Sequence, residues 1–94
     1  KQKKLIAEIE NNKCQVCGFY CEFKNKRGET HHVIHVDHII EKSKGGDESL
    51  TNLWVLCPNC HGKKTAGIIK IDVKSKIVTE LDETISITDH HLFV

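Results

Sequence analysis

Two Cys-x-x-Cys knuckles, Cys14/Cys17 and Cys57/Cys60, constrain this chain more than any other feature. Four soft thiolates make a complete tetrahedral donor set for zinc, and bringing the two pairs together closes the chain on itself. At 94 residues the core alone is a marginal source of stability, so a metal staple is expected to supply much of it. The fifth cysteine, Cys21, lies at no ligand spacing, and an odd count speaks against a disulfide framework. We therefore expect a structural Zn²⁺ on Cys14, Cys17, Cys57 and Cys60, with Cys21 a spare thiol, in a reducing, cytoplasmic setting. No run approaches a membrane-spanning length and no signal peptide is visible, so no membrane partner is expected.

The formal net charge of +1 conceals an uneven distribution. Residues 1–70 carry 12 Lys/Arg against 8 Asp/Glu, whereas 71–94 carry 2 against 5. The basic excess accompanies the cysteines and weakly favours an anionic partner, although ordinary solvated faces show the same balance. The chain contains no methionine, which leads to the expectation that it is one domain of a longer protein.

Leu5, Ile6 and Ile9 form an apolar stripe at helical spacing within residues 3–12, ended by Asn11-Asn12, and should pack onto the zinc core. Phe19, Tyr20 and Phe23 follow the first knuckle and are expected to pack in the core or against the knuckle and not to stack on bases, since few other large apolar groups exist. Residues 24–29 read as a charged turn. Val33 to Ile40 is rich in β-branched residues and reads as a strand ending near Asp37. A flexible loop, Lys42 to Asp47, leads to a second strand-like run, Leu50 to Leu56. Pro58, just after Cys57, suits a first helical turn, so a short helix should carry Cys60, His61 and the Lys63-Lys64 pair. In the tail, Ile69/Ile71/Val73 and Ile77/Thr79/Leu81 alternate about Lys74-Ser75-Lys76, the pattern of a hairpin. The run Ile85 to Ile87 and the end His90 to Val94 carry no usable motif.

Between and beside the knuckles stand Asp37, His38, Asn52 and His61: a hard carboxylate, two imidazoles and an amide. Such groups hold a divalent ion and move a proton. Each has an ordinary alternative. Asp37 could cap a turn, His38 could close a strand and Asn52 could sit in a turn. His61 could be a spare zinc ligand, a role that four cysteines already fill. His35, two residues before Asp37 on the same strand face, could reach a metal or phosphate, or could be a plain surface histidine. His31 and His32 are expected to be solvated. Lys42, Lys44, Lys63 and Lys64 flank the cluster and could meet phosphates or simply solubilise. Gly62-Lys63-Lys64-Thr65 is not a phosphate-binding loop, because the required upstream position is Cys57.

Cys14-x-x-Cys17, Val36-Asp37-His38-Ile39-Ile40, Gly45-Gly46, Asn52-Leu53 and Leu56-Cys57-Pro58-Asn59-Cys60-His61 together resemble the HNH endonuclease family in its four-cysteine zinc form, over roughly residues 14–65. The resemblance implies a ββα-metal fold, with His38 and His61 as the family's first and last histidines and Asn52 as its orienting asparagine. The expected architecture is thus α+β: a single zinc-stapled ββα-metal (His-Me finger) domain over 1–94, with an N-terminal helix and a β-hairpin extension over 68–94. The expected activity is metal-dependent hydrolysis of DNA phosphodiesters, most readily double-stranded DNA, cutting one strand per active site. Asp37 and His61 would hold Mg²⁺, Mn²⁺ or Ni²⁺. His38 would accept the proton of the attacking water, since an imidazole titrates near pH ~6.5. Double-strand cleavage would need a dimer, a partner or two events. The rival expectation is a non-catalytic, zinc-stapled DNA- or protein-binding module.

Overall fold

The computed structural model describes residues 2–72, 74–75 and 77–85. Val73, Lys76, Ile87 and the terminal His90 to Val94, all assigned above to the tail, lie outside the described residues.

The middle of the chain forms an antiparallel hairpin of β3 (His35–His38) and β4 (Leu53–Leu56), with His35 opposite Leu56 and His38 opposite Leu53. All four residues of β4 are fully buried, so this strand is covered on both faces. Because side chains alternate along a strand, Leu53 and Val55 point one way while Trp54 and Leu56 point the other. Leu53 and Val55 pack with Ile6 of helix α1 (Gln2–Ile9). Trp54 and Leu56 pack with Cys14, Cys57 and Cys60, and with Ile69 and Val78 from the C-terminal sheet. Each fully buried side chain of this size contributes roughly 1.5–3 kcal/mol of transfer free energy. The two half-cores share one strand as their common wall.

Helix α1 therefore docks on the hairpin face opposite the cysteines and not on the zinc core as expected. Only Ile6 and Ala7 of the helix are buried, whereas Leu5 and Ile9 are exposed. Asn11 and Asn12 do end it, both in the left-handed region (φ 57° and 55°), where asparagine is better tolerated than most residues.

Strands β1 (Glu22–Lys24) and β2 (Thr30–His32) make a second hairpin, with the expected charged turn at its tip and two strands that were not expected on either side. Asn25 organises its tip, accepting from the amides of Arg27 (2.9 Å) and Glu29 (3.0 Å) through one oxygen. Among the described residues no further strand pairs with this hairpin. Phe19, Tyr20 and Phe23 are 42%, 47% and 48% exposed, contrary to the packing expected of them. Two of them lean instead on histidines: Phe23 stacks on His31 at 5.5 Å, and Tyr20 lies 5.5 Å from His32. His32 also faces Glu22 at 3.6 Å, so neither histidine is merely solvated.

After β4 the chain enters helix α2 (Pro58–Thr65), whose N-cap is Cys57 and whose first residue is Pro58, as expected. The tail forms β5 (Ile69–Asp72) and β6 (Ile77–Glu80), paired antiparallel in the expected hairpin. A third strand, β7 (Glu83–Ile85), extends that sheet. No helix among the described residues is long and apolar enough to cross a membrane.

Candidate functional site

The four knuckle cysteines converge. Their sulfurs all lie within 4.8 Å of one another, and no other group of three or more metal-binding side chains gathers in this way among the described residues. Cys17 Sγ stands 3.6 Å from Cys57 Sγ. A tetrahedral ion with Zn–S bonds of about 2.3 Å separates its sulfurs by about 3.8 Å, so the quartet has the right size. Amides back the thiolates as a knuckle should: Cys17 N–H points at Cys14 Sγ and Cys60 N–H at Cys57 Sγ, both at 3.4 Å. Burial raises the Cys14 thiol, but backbone hydrogen bonds from Cys17, Cys57 and Val16 outweigh it and bring it to about 7. Burial and the neighbouring Cys14 push Cys60 strongly upward. Adjacent thiolates resist joint ionisation, and a cation between them removes that opposition. Cys21 is not in the cluster; its carbonyl accepts from Val33 beside the β1–β2 hairpin.

Gln15, between the first two ligands, locks the knuckle to the hairpin. Its amide donates to Val55 O (2.8 Å) and its side-chain oxygen accepts from Val55 N (2.7 Å), so β4 is bridged as if by a short extra strand. Nothing in the sequence pattern signals this, because the bridge depends on β4 being brought alongside the knuckle, 40 residues away.

Around the corner from the quartet, β3 and α2 bring Asp37 and His61 together. Asp37 Oδ1 lies 3.4 Å from His61 Nε2. The other oxygen, Oδ2, receives the Lys64 ammonium (2.6 Å) and the Trp54 indole N–H (2.9 Å). Trp54 sits directly across from Asp37 in the β3–β4 register, which is why it can reach. His35 lies two residues from Asp37 on the same strand face and stacks on His61, rings 4.9 Å apart and only 6° from parallel. Asp37 Oδ1 and His61 Nε2 are spaced as two neighbouring ligands of one ion should be, since bonds of about 2.1 Å set donors roughly 3.0–3.4 Å apart. The donor set, a hard oxygen and an imidazole, suits a divalent ion.

His38 is the last residue of β3. Its Nε2 lies 2.8 Å from Glu48 Oε1, and the same oxygen receives Lys42 Nζ at 2.6 Å. The Lys42 ammonium and, after it, His38 hold the Glu48 carboxyl down at about 2. Glu48 was not anticipated: it lies in a loop whose path no spacing rule predicts.

That loop, residues 39–52, is pinned by Asn52, one of the few buried polar side chains. Asn52 Oδ1 accepts from Ile40 N (2.8 Å), and Nδ2 donates to Ile40 O (3.0 Å) and Asp47 O (2.8 Å). Gly46 is squeezed against the same strand end, where a Cβ would overlap the Ile40 carbonyl. Two single turns of 3-10 helix, Lys42–Lys44 and Leu50–Asn52, complete the loop, so the second expected strand begins only at Leu53.

The lysines divide by role. Lys63 is drawn to Glu80 on β6 (3.1 Å), which raises its pKa. Lys64 clamps Asp37 and also donates to His38 O at 2.7 Å. Lys42 is committed to Glu48, while Lys44 is exposed. Asp37, His38, Lys42, Lys44, His61 and Lys64 line one open cleft of about 660 Å³.

A family model described as HNH endonuclease matches residues 14–67. Anaredoxin from Nostoc sp. (strain PCC 7120 / SAG 25.82 / UTEX 2576) is 33% identical over 73 residues, spanning 78% of this chain and 83% of that protein. No solved structure matches. The match takes in both cysteine knuckles, the Asp37-His38 pair, Asn52 and His61, and the chain belongs to the HNH endonuclease family.

Proposed function

We propose that this domain is a metal-dependent endonuclease acting on DNA, most readily double-stranded, and hydrolysing one strand per active site. The observation that carries this reading is the approach of Asp37 Oδ1 to His61 Nε2, 3.4 Å apart, beside His38 in one cleft. The β3–β4 hairpin followed by α2 has the strand, strand, helix order expected of a ββα-metal unit, and a zinc held by the four thiolates would staple it. Five cysteines without a disulfide suit a reducing, cytoplasmic compartment.

In this reading Asp37 and His61 hold Mg²⁺, Mn²⁺ or Ni²⁺. When bound, such an ion neutralises charge on the phosphate and on the departing oxygen. His38 accepts the proton of the attacking water. Asn52 acts at a distance, fixing the loop that begins one residue beyond His38. Lys64, by neutralising one Asp37 oxygen and holding the His38 carbonyl, sets the carboxylate's orientation with Oδ1 toward His61. Lys44 remains available to a DNA phosphate, whereas Lys42 and Lys63 are engaged within the protein. Double-strand cleavage would require a second copy, a partner or a second event.

Incubating the purified domain with supercoiled plasmid and Mg²⁺, Mn²⁺ or Ni²⁺ tests the reading. Nicked circles that disappear on chelation support it. Inertness with every ion, alongside retained DNA affinity, would favour the non-catalytic binding module.

A second reading is favoured by the relative named Anaredoxin. A tetrahedral four-thiolate site takes iron as well as zinc, and Cys17 is exposed at its edge, so the quartet could serve electron transfer. A colourless protein with one zinc opposes that reading. A coloured iron protein that bleaches on reduction supports it.

A further inference from the structure

We infer that Glu48 is a positioning residue for His38, holding the ring with its proton on Nε2 so that Nδ1 presents the lone pair to the cleft. This deepens the nuclease reading and rests on it only for its kinetic consequence. The contact is short and specific, 2.8 Å from His38 Nε2 to Glu48 Oε1. An ionised carboxylate can only accept, so the nitrogen facing it must carry the hydrogen. Lys42, 2.6 Å from the same oxygen, keeps the carboxylate charged, and the shift of Glu48 to about 2 has that cause first.

Glu48 does not arrive there by chance of a loose side chain. On its N-terminal side, Asp47 O is held by Asn52 Nδ2 at 2.8 Å. Asp47 Oδ1 reaches past Glu48 to accept from Ser49 N (3.1 Å) and Ser49 Oγ (2.6 Å). Gly46, just before, packs against Ile40 where no side chain fits. Glu48 thus projects from a fixed turn. The geometry is that of a base, an orienting carboxylate and a cation behind it, in which the carboxylate selects the tautomer and need not take a proton.

Long-range ¹H–¹⁵N spectra of the zinc-loaded protein at pH 8 read the tautomer directly, without DNA. The wild type should show His38 protonated at Nε2, and Glu48→Ala should shift it toward a mixture. Glu48→Gln, whose amide oxygen still accepts, should retain most of the wild-type pattern. In plasmid nicking, Glu48→Ala should lower kcat about 10–100-fold with KM nearly unchanged. It should add nothing in a His38→Ala background, because it acts through that ring. A wild-type His38 protonated at Nδ1, a tautomer untouched by Glu48→Ala, or full cleavage by Glu48→Ala would overturn the inference. A tautomer shift in a protein inert with every divalent ion would uphold the positioning role while removing the nuclease reading.

Discussion

Asp37 and His61, 24 residues apart on a strand and a helix, bring Oδ1 and Nε2 to 3.4 Å, while Lys64 and Trp54 hold the other carboxylate oxygen. One half of the carboxylate is thus structural and the other half faces the cleft. If this pair holds an ion, Asp37→Asn and His61→Ala should each weaken Mn²⁺ binding at least about tenfold, since even indirect supports of metal ligands are worth that much. Asparagine is the better probe at 37, because alanine would also remove the oxygen that receives the Trp54 N–H and the Lys64 ammonium. Isothermal titration with Mn²⁺, alongside elemental analysis showing zinc retained, checks this. Unchanged affinity in both variants would put any exchangeable ion elsewhere.

The cysteine quartet invites a different test, because it couples metal to fold. Cys57 is both a member of the thiolate quartet and the N-cap of α2, so Cys57→Ser should lose zinc and most secondary structure together. Acid should do the same by protonation. Cys14 has its folded-state pKa lowered from 9.0 to about 7, so at this one thiol the folded state binds fewer protons than the unfolded one. The stability this thiol contributes is full above pH 9 and fades as pH falls through 7; zinc moves the window lower by competing with protons. Circular dichroism with a zinc indicator should show both signals lost together on acidification. A variant that folds normally without metal would end the staple's structural role.

What sequence alone made legible was local chemistry at fixed spacing. Cys-x-x-Cys, Pro58 after Cys57 and the alternation around Ile69 to Thr79 each depend on neighbours within a few residues, and each formed as expected. The aromatics misled because burial depends on what lies opposite: Phe23 sits on a two-stranded hairpin and Phe19 and Tyr20 just before it, and all three are exposed among the described residues. Helix α1 was assigned to the wrong face for a related reason. An apolar run such as Leu53 to Leu56 shows that a strand is buried, but not which covering element takes which side. Glu48 was invisible because its partner is set by the closure of residues 39–52, and that closure depends on Asn52 reading two distant carbonyls.

Asn52 offers a stability test independent of catalysis. Asn52→Ala would leave the Ile40 N–H and the carbonyls of Ile40 and Asp47 without these partners, in a half-buried setting. Each such group costs about 1–3 kcal/mol when left unmet inside a protein. For a domain of this size every kcal/mol lowers Tm by roughly 4–8 °C. Gly46→Ala should disturb the same loop by collision with the Ile40 carbonyl, and the two variants should combine less than additively because they act on one closure. Differential scanning fluorimetry measures both; wild-type melting of Asn52→Ala would show that the loop is held by other means.

His38 separates chemistry from scaffold. It ends β3, its carbonyl is held by Lys64, and its ring meets Glu48, so truncating the side chain leaves the backbone contacts and the Asp37–His61 pair in place. His38→Ala should therefore fold, keep zinc and bind DNA with the divalent ion at close to wild-type affinity, yet nick plasmid about 10²–10⁴-fold more slowly, the usual loss when a positioned base is removed. His38→Gln should be nearly as slow, because an amide of similar reach accepts a hydrogen bond without taking up a proton. Single-turnover rates at saturating metal, measured beside DNA affinity, separate the two effects. Cleavage by His38→Ala at the wild-type rate would move the base to another residue, and His35, stacked on His61 in the same corner, would be the next candidate.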